Sequence, residues 1–296
     1  MTIDKSLLQQ IRKETGARIT DCQKALIECQ GDLDQAKEWL RKKGIAAGAK
    51  KTDRATHDGA VALCTDGSKG VLIEINCETD FVAKNVEFLS FADKISHLAL
   101  THNASSLDGL TALSVDGTSV EDMRLALAGK TGENIRLQNL VSLSTSPGIV
   151  ASYVHGAFSP SVGKIGIMVA LESTGNADEL AAIGKKIAMH VAATSPDYVS
   201  IGDVPQDVID KEKAVLSAQI AEQKKDAPED IRIKMIDGRM GKLFGQIVLE
   251  EQDFVMEPGT KVKDMLAKAS DQLGAPIRIM SFCKMTVGTS TVAHRS

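Results

Sequence analysis

The sequence predicts an α+β protein, and three observations support this fold class. Residues 4–43 place apolar side chains at helical spacing in three short segments. Two later stretches each show the alternation of a β-hairpin followed by an amphipathic helix. A charged segment after Pro205 returns to helical spacing in two consecutive runs, which predicts an antiparallel helical hairpin. A chain of 296 residues has room for more than one such core.

The three N-terminal helices are predicted from their apolar faces and their end signals. The first ends at Gly16, the second can be capped by Thr20 and the third by Asp32. Their expected core consists of Leu7, Leu8, Ile11, Cys22, Ala25, Leu26, Cys29, Leu33, Ala36, Trp39 and Leu40. A bundle of about 40 residues is marginal alone, so we expect a docking module attached to a larger body. The basic, glycine-rich residues 42–59 are the best linker candidate.

The central part of the chain contains a pattern that occurs twice. Residues 59–78 predict two strands around the turn Asp66–Ser68, and helical spacing follows. The apolar stripe of that helix is expected to contain Phe81, Val86, Leu89, Ala92, Ile95 and either Leu98 or Ala99. The stretch GKIGIMVAL repeats the pattern of GVLIEIN about 95 residues later and also precedes a helix. This duplication implies two related hairpin-plus-helix subdomains in one core.

The remaining segments complete the predicted organisation. The helical hairpin has a break at residues 226–230, and its facing seams are expected to hold Val208, Val215, Ile220, Ile231, Met235, Met240 and Leu243. Residues 247–283 predict another helix and a strand that returns to the second sheet, and residues 288–296 are expected to lack structure. The expected domains are 1–55 (helical domain and linker), 56–143 and 144–204 plus 246–285 (the two core subdomains), 205–245 (helical hairpin) and 286–296 (tail).

Composition excludes several classes of function. The net charge of −4 and the pI near 5.9 oppose a direct nucleic-acid ligand, because phosphate binding needs a basic surface. The N-terminus resembles neither a secretory signal nor a transit peptide, and the chain has no apolar run long enough to span a membrane. Five cysteines without a CxxC pair predict reduced thiols. We therefore expect a soluble, cytoplasmic protein that does not bind membranes.

Motifs for catalysis and for cofactors are missing from the sequence. It contains no GxGxxG after a strand, no GxxxxGK[ST] and no HExxH, and its six histidines are scattered. We therefore expect no cofactor, no metal and no active site. His190 interrupts an apolar helix, and periodicity favours a hydrogen-bonded, semi-buried histidine there, with Met189 in the core.

The stretch INCETDFVAKN raises a question that residue patterns leave open. Thr79 or Asp80 can cap a helix after a strand-like run. Phe81 then either tucks back into the core, which local physics favours, or is presented to another molecule.

Several stretches together resemble one known family. They are TGARITDCQKALIECQGDLDQAKEWLRKKG, CETDFVAKNVEFLSFADKI, IAMHVAA, GRMGKLFG and FVMEP, spread over nearly the whole chain. These stretches are similar to those of the bacterial elongation factor Ts family, guanine-nucleotide exchange factors for elongation factor Tu. The resemblance implies a UBA-like three-helix N-terminal domain, a core of two related subdomains, a protruding helical hairpin and a C-terminal module.

The resemblance also implies a role for the TDFV turn. In the family this turn is inserted between helices of the partner's G domain, near the bound magnesium. The matching residues are Thr79, Asp80, Phe81 and Val82. The resemblance therefore favours Phe81 as a wedge, and the implied result is dislocation of magnesium and release of GDP.

Further partner contacts follow from the same resemblance. His190 and its neighbour Met189 match a position that contacts the partner's G domain. At the N-terminus this chain reads GARITDCQKAL where the family commonly reads GAGMMDCKKAL. Ile19 and Thr20 thus replace two methionines and Gln23 replaces a lysine, so we expect a rearranged or weaker contact there.

The expected partner is elongation factor Tu, both GDP-bound and nucleotide-free. The sequence leaves open whether the helical hairpin forms a homodimer or a 2:2 complex. A ubiquitin-like or UBA-type adaptor is the alternative, but residues 15–17 read TGA instead of the MGF/Y loop of ubiquitin binders. A hydrolase or transferase with unrecognised catalytic residues is the enzyme alternative.

Overall fold

The computed structural model describes residues 4–223 and 228–295. The helices are α1 Lys5–Thr15, α2 Ile19–Glu28, α3 Leu33–Ala49, α4 Asp80–Ala83, α5 Val86–Thr101, α6 Leu107–Ala112, α7 Val120–Thr131, α8 Ala177–Thr194, α9 Gln206–Gln223, α10 Glu229–Ile247 and α11 Val262–Leu273. The strands are β1 Asp58–Asp66, β2 Lys69–Cys77, β3 Ser114–Val115, β4 Thr118–Ser119, β5 Arg136–Ser144, β6 Gly148–Ala157, β7 Val162–Glu172, β8 Arg278–Thr286 and β9 Thr289–His294. The predicted α+β class is confirmed.

The described residues form two compact units. The first contains residues 4–62, 73–140 and 158–164, and the second contains residues 63–72, 141–157, 165–223 and 228–295. Within these residues no helix is long and apolar enough to cross a membrane.

The N-terminal bundle in the first unit has the predicted core. Ile11, Cys22, Ala25, Leu26, Ala36 and Leu40 are buried, and Leu7, Leu8, Cys29, Leu33 and Trp39 pack against them. Gly16 ends α1 with a φ of 61°, and the Asp32 carboxylate caps α3 by accepting from Gln35 N at 2.9 Å. The predicted cap of α2 is wrong, because Arg18 is the N-cap residue and Thr20 lies within the first turn.

Helix α3 continues to Ala49, so the first residues of the expected linker are helical. The reason is a glycine contact between α3 and α7, formed by Gly44 and Gly48 on one helix and Gly129 on the other. A methyl group on Gly48 would collide with the carbonyl oxygen of Leu125, and one on Gly129 with that of Gly44. The missing side chains let the two backbones touch, and this tertiary contact extends a helix that periodicity alone does not predict.

The predicted stripe of α5 is correct only in part. Ala92, Ile95 and Ala99 are buried, but Phe81 and Val86 are 83% and 80% exposed. The helical run is broken between α4 and α5, so Phe81 does not continue the buried face of α5, and Val86 is the exposed first residue of α5. In the same unit β1 pairs antiparallel with the start of β7.

The second unit packs α8 and α11 with strands β6, β7, β8 and β9 around a shared apolar core. Strand β8 returns to β7 as predicted, with Val169 opposite Phe282. The expectation that the last residues lack structure is wrong, because β9 pairs antiparallel with β8 from Thr289 to His294.

The helical hairpin consists of α9 and α10, which pack against each other. Ile220 and Met240 are buried as predicted, whereas Val215 and Ile231 are 49% and 46% exposed and do not belong to the seam. Leu216 is buried instead, one turn before Ile220. Asp226 and Ala227 of the predicted break lie outside the described residues.

Candidate protein-binding site

An exposed turn follows strand β2 in the first unit. We call Thr79–Val82 the tip. Phe81 at its centre is 83% exposed, and the neighbouring Val82 is half-buried. Burying a phenylalanine stabilises a protein by about 1.5–3 kcal/mol, and the exposed Phe81 does not contribute this stabilisation to the free protein. The expectation of a core position for Phe81 is wrong.

Local capping explains why the chain folds into this turn. The Thr79 hydroxyl accepts from Val82 N at 3.5 Å and begins the four-residue helix α4. Asn85 then caps α5 by accepting from Glu87 N at 2.8 Å. Ala83 is fully buried between the two caps and holds the turn to the body of the unit. Two helix starts in close succession leave Phe81 on the outside.

The Glu133 carboxylate anchors the start of the tip. One oxygen accepts from Glu78 N at 3.1 Å and from Thr79 N at 3.0 Å, and the other accepts from the Thr79 hydroxyl at 2.7 Å. In return, the Glu78 carboxylate accepts from Asn134 N at 2.7 Å. Residues after α7 are thereby tied to residues after β2.

Asp80 carries the charge of the tip. Its carboxylate accepts from Lys84 Nζ at 2.6 Å, and both side chains are about half exposed. This hydrogen bond lowers the pKa of Asp80, and Lys164 adds to the effect through its charge. Asp80 is therefore ionised at neutral pH, beside an apolar and exposed Phe81.

His190 occupies a contrasting position in the second unit. Its side chain is fully buried on α8, and its ring lies 5.5 Å from that of Phe254. Val255 N donates to Nδ1 at 3.2 Å, so the ring proton resides on Nε2, which donates to Gln252 Oε1 at 2.9 Å. Burial lowers the pKa of His190, which keeps the ring neutral. This geometry is the hydrogen-bonded histidine that periodicity favoured, more deeply buried than expected.

The segment that His190 holds exposes two apolar side chains. Val255 is 46% exposed and Met256 is 41% exposed. Gln252 completes the support by donating from Nε2 to the Gln246 carbonyl at 2.6 Å. Met189, the neighbour of His190 on α8, is half-buried.

The predicted N-terminal contact residues lie on one surface of α2. Ile19 is 46% exposed, and Thr20 and Gln23 are also exposed. Next to them, Lys43 of α3 donates to Asp21 at 2.6 Å. These side chains are available to a partner in the free protein.

Two cavities in the first unit are large enough to admit a small molecule. One of about 450 Å³ lies between the bundle and α7, and one of about 560 Å³ lies beside Arg124 and Asn134. Within the described residues neither is lined by a histidine or a cysteine. Across the same part of the chain, no three His, Cys, Asp or Glu side chains stand together to hold a metal ion.

The first unit thus presents an anchored apolar tip beside a carboxylate, an arrangement typical of a factor that binds another protein. The family described as elongation factor TS matches residues 78–289, and the N-terminal region described as elongation factor Ts, mitochondrial, N-terminal matches residues 1–50. The elongation factor Ts of Paramagnetospirillum magneticum is 41% identical over 97% of this chain and 91% of its own length. Those of Anaplasma phagocytophilum and Sinorhizobium fredii are 39% and 38% identical, over 95% and 100% of this chain and 98% and 96% of their own lengths.

The chain belongs to the elongation factor Ts family of translation elongation factors. The sequence resemblance is thereby confirmed, and the ubiquitin-adaptor alternative is not favoured. Sequence reasoning missed Glu133, because no local pattern links it to a turn 54 residues earlier. Val255 and Met256 lie in the FVMEP stretch that contributed to the resemblance, although no role was predicted for them.

Proposed function

We propose that this protein binds elongation factor Tu·GDP and promotes release of GDP and its exchange for GTP. The observation that carries this proposal is Phe81, an apolar side chain 83% exposed on an anchored turn. Such a side chain is buried, and its apolar surface removed from water, only when another molecule covers it. Asp80 stands beside it as a charge that can compete for polar groups around a partner's magnesium ion.

The physical basis of exchange is removal of contacts that hold the nucleotide. In a GTPase, backbone amides, a lysine and a magnesium ion hold the phosphates of GDP. A wedge that shifts the elements on the magnesium side weakens those contacts without forming or breaking a covalent bond. Factor and nucleotide then weaken each other's binding by the same ratio, so GTP binding ejects the factor. The protein acts as an exchange factor and not as an enzyme of covalent chemistry.

We propose two supporting contacts with the same partner. His190 acts from beneath the surface, by holding the segment that exposes Val255 and Met256, while Met189 contributes at the adjoining surface of α8. On the N-terminal bundle, Ile19, Thr20 and Gln23 provide a second contact. These positions spread the interface over several elements, as is common when a few side chains supply most of the binding energy.

The proposal extends to architecture and location. The N-terminal helices are proposed to be UBA-like, and the order hairpin then helix in β1–β2–α5 and in β6–β7–α8 supports two related core subdomains. Exposed Val215, Ile231 and Ile233 on the helical hairpin support a homodimer or a 2:2 complex through that element. We propose a cytoplasmic protein without direct contacts to nucleic acid or membranes.

Stopped-flow release of a fluorescent GDP from elongation factor Tu tests the function. Release is followed with and without substoichiometric amounts of this protein, at several magnesium concentrations. We expect faster release at each concentration, and a smaller acceleration where magnesium is already depleted. If the folded protein leaves the release rate unchanged throughout the series, the proposed function is wrong.

A further inference from the structure

The orientation of Phe81 cannot be maintained by α4 alone. This helix has four residues, a single turn that makes too few internal hydrogen bonds to be stable in isolation. Phe81 itself is 83% exposed and is therefore not fixed by packing. The buried Ala83 holds the C-terminal side of the turn, so the residues that precede Phe81 have to restrain its N-terminal side.

Those residues are restrained by one side chain from a distant segment. Glu133 binds two consecutive amides and one hydroxyl at Glu78 and Thr79, at distances from 2.7 to 3.1 Å. Hydrogen bonds to a carboxylate are roughly twice as strong as those between neutral groups. The Thr79 hydroxyl passes the restraint on, because it also accepts from Val82 N inside the tip.

The segment that carries Glu133 is itself rigidly placed. Gly132 ends α7 with a φ of 84°, and Asn134 is fully buried. The Asn134 side-chain amide donates to the carbonyl oxygens of Thr52 at 3.0 Å and Arg54 at 2.7 Å. The backbone of Glu133 is therefore held in place, and its side-chain carboxylate binds the backbone of the tip at Thr79.

We propose that Glu133 is a positioning residue that sets the direction of Phe81 and thereby determines how fast elongation factor Tu releases GDP once the factor is bound. This inference rests on the proposed function. Glu133 does not touch the partner in this scheme, and it acts through Thr79. If Glu133 were purely structural, its replacement would destabilise the whole first unit. The tip would then become no more mobile than the residues around it.

The test compares Glu133→Gln and Glu133→Asp with the wild-type chain. Glutamine keeps the size but loses the charge, and when its oxygen faces the two amides its amino group replaces the oxygen that accepts from the Thr79 hydroxyl. Aspartate keeps the charge and shortens the side chain by one methylene. The matched control is Glu87→Gln on α5, which neutralises a carboxylate in the same way. In the wild-type chain this carboxylate pairs with Lys130 and does not contact the tip.

Two measurements are made on each full-length variant. Hydrogen–deuterium exchange of residues 75–85 reports order in the tip, with the buried residues 60–62 of β1 in the same unit as the internal reference. GDP release from elongation factor Tu is measured over a range of factor concentrations, which separates the maximal rate from the concentration giving half of it.

For Glu133→Gln we expect amide exchange of residues 75–85 to rise about tenfold, with residues 60–62 of β1 unchanged, since charge-assisted bonds are lost at the tip. The maximal rate of GDP release should fall about tenfold, while the half-maximal concentration changes by less than about threefold. Glu133→Asp should recover part of both losses, and Glu87→Gln should match the wild type in both.

Unchanged exchange in residues 75–85 would overturn the proposal, as would equal increases in the tip and in residues 60–62 of β1, which would indicate general destabilisation of the first unit. A maximal rate equal to that of the wild type despite a mobile tip would overturn it as well. If the wild-type chain itself fails to accelerate GDP release, the proposed function is wrong. The amide measurement then still decides whether Glu133 orders the tip.

Discussion

Phe81 and His190 are both assigned to partner binding by resemblance, yet the chain treats them in opposite ways. Phe81 is 83% exposed on a one-turn helix, whereas His190 is fully buried with both ring nitrogens hydrogen-bonded. One side chain is withheld from the core and available to a partner. The other belongs to the core and, in the proposed function, acts on a partner only through the segment it supports. A shared assignment by resemblance therefore covers two different physical environments, one exposed to solvent and one inside the core.

The largest effect is expected at the tip. Replacing both residues, Asp80→Ala with Phe81→Ala, should slow the GDP exchange rate about a hundredfold, because an interface depends on a few central side chains. The melting temperature should change by no more than about one degree, since exposed side chains contribute little to folding. Calorimetry and stopped-flow fluorescence check the two halves of this expectation.

The matched control for the tip is Val292→Ala on β9, which also shortens an exposed apolar residue. It should leave exchange unchanged. A marked drop in the melting temperature of the double variant would indicate that Phe81 contributes to the core. The contrast between Phe81 and His190 would then be wrong.

His190→Ala should show the converse pattern. Loss of the ring removes buried contacts and leaves Val255 N without its acceptor, so the free energy of unfolding should fall by about 2–4 kcal/mol. Exchange at a fixed concentration should slow only a few fold, through the loosened segment around Val255. Chemical denaturation followed by circular dichroism measures the loss, with exposed His294→Ala as control. A variant of wild-type stability with strongly reduced exchange would show that His190 contacts the partner directly.

A smaller effect is expected on α2, where two isoleucines of similar exposure can be compared. Ile19 belongs to the predicted contact and is 46% exposed, and Ile27 is 50% exposed at the other end of the helix. Ile19→Ala should raise the half-maximal factor concentration about threefold without changing the maximal rate, because it removes apolar contact area from docking. Ile27→Ala should change neither. Equal effects of both substitutions would refute a specific docking surface on this helix.

The smallest effect concerns pH. Burial places the pKa of His190 below its ordinary value of 6.5. As the pH falls, the unfolded chain therefore takes up a proton on this ring before the folded chain does. The stabilisation by the neutral ring is fully present above pH 6.5 and is lost as the pH falls from 6.5 through the lowered pKa of the folded state. The stability advantage of the wild type over His190→Gln should accordingly narrow as the pH is lowered from 8 to 5. Urea unfolding at several pH values tests this, and a constant difference would contradict it.

The sequence predicts those parts of the structure that depend on neighbours along the chain. The core of the N-terminal bundle and the cap at Asp32 follow from helical spacing and local hydrogen bonding. The position of Phe81 does not follow, because residue spacing cannot locate the break between α4 and α5. The extension of α3 to Ala49 depends on a backbone contact with α7, about 80 residues later in the chain.

The candidate site divides in the same way. Thr79–Val82 can be named from sequence because the resemblance is local and continuous. Glu133 cannot, because its importance arises from hydrogen bonds across 54 residues, and nothing in its own surroundings marks it. His190 is the intermediate case, since its place on an apolar helix predicts burial but not the partners on its two nitrogens.

The glycine contact between α3 and α7 restricts how this chain can evolve. A methyl group at Gly48 or at Gly129 would meet backbone atoms of the opposite helix, not side chains. Most core clashes can be relieved by a second substitution that shortens the neighbour, but a carbonyl oxygen is present whatever residue carries it. Within this helix pairing, a lineage that lost either glycine could regain the fit only by reversion, so we expect both positions to vary less than the apolar residues around them.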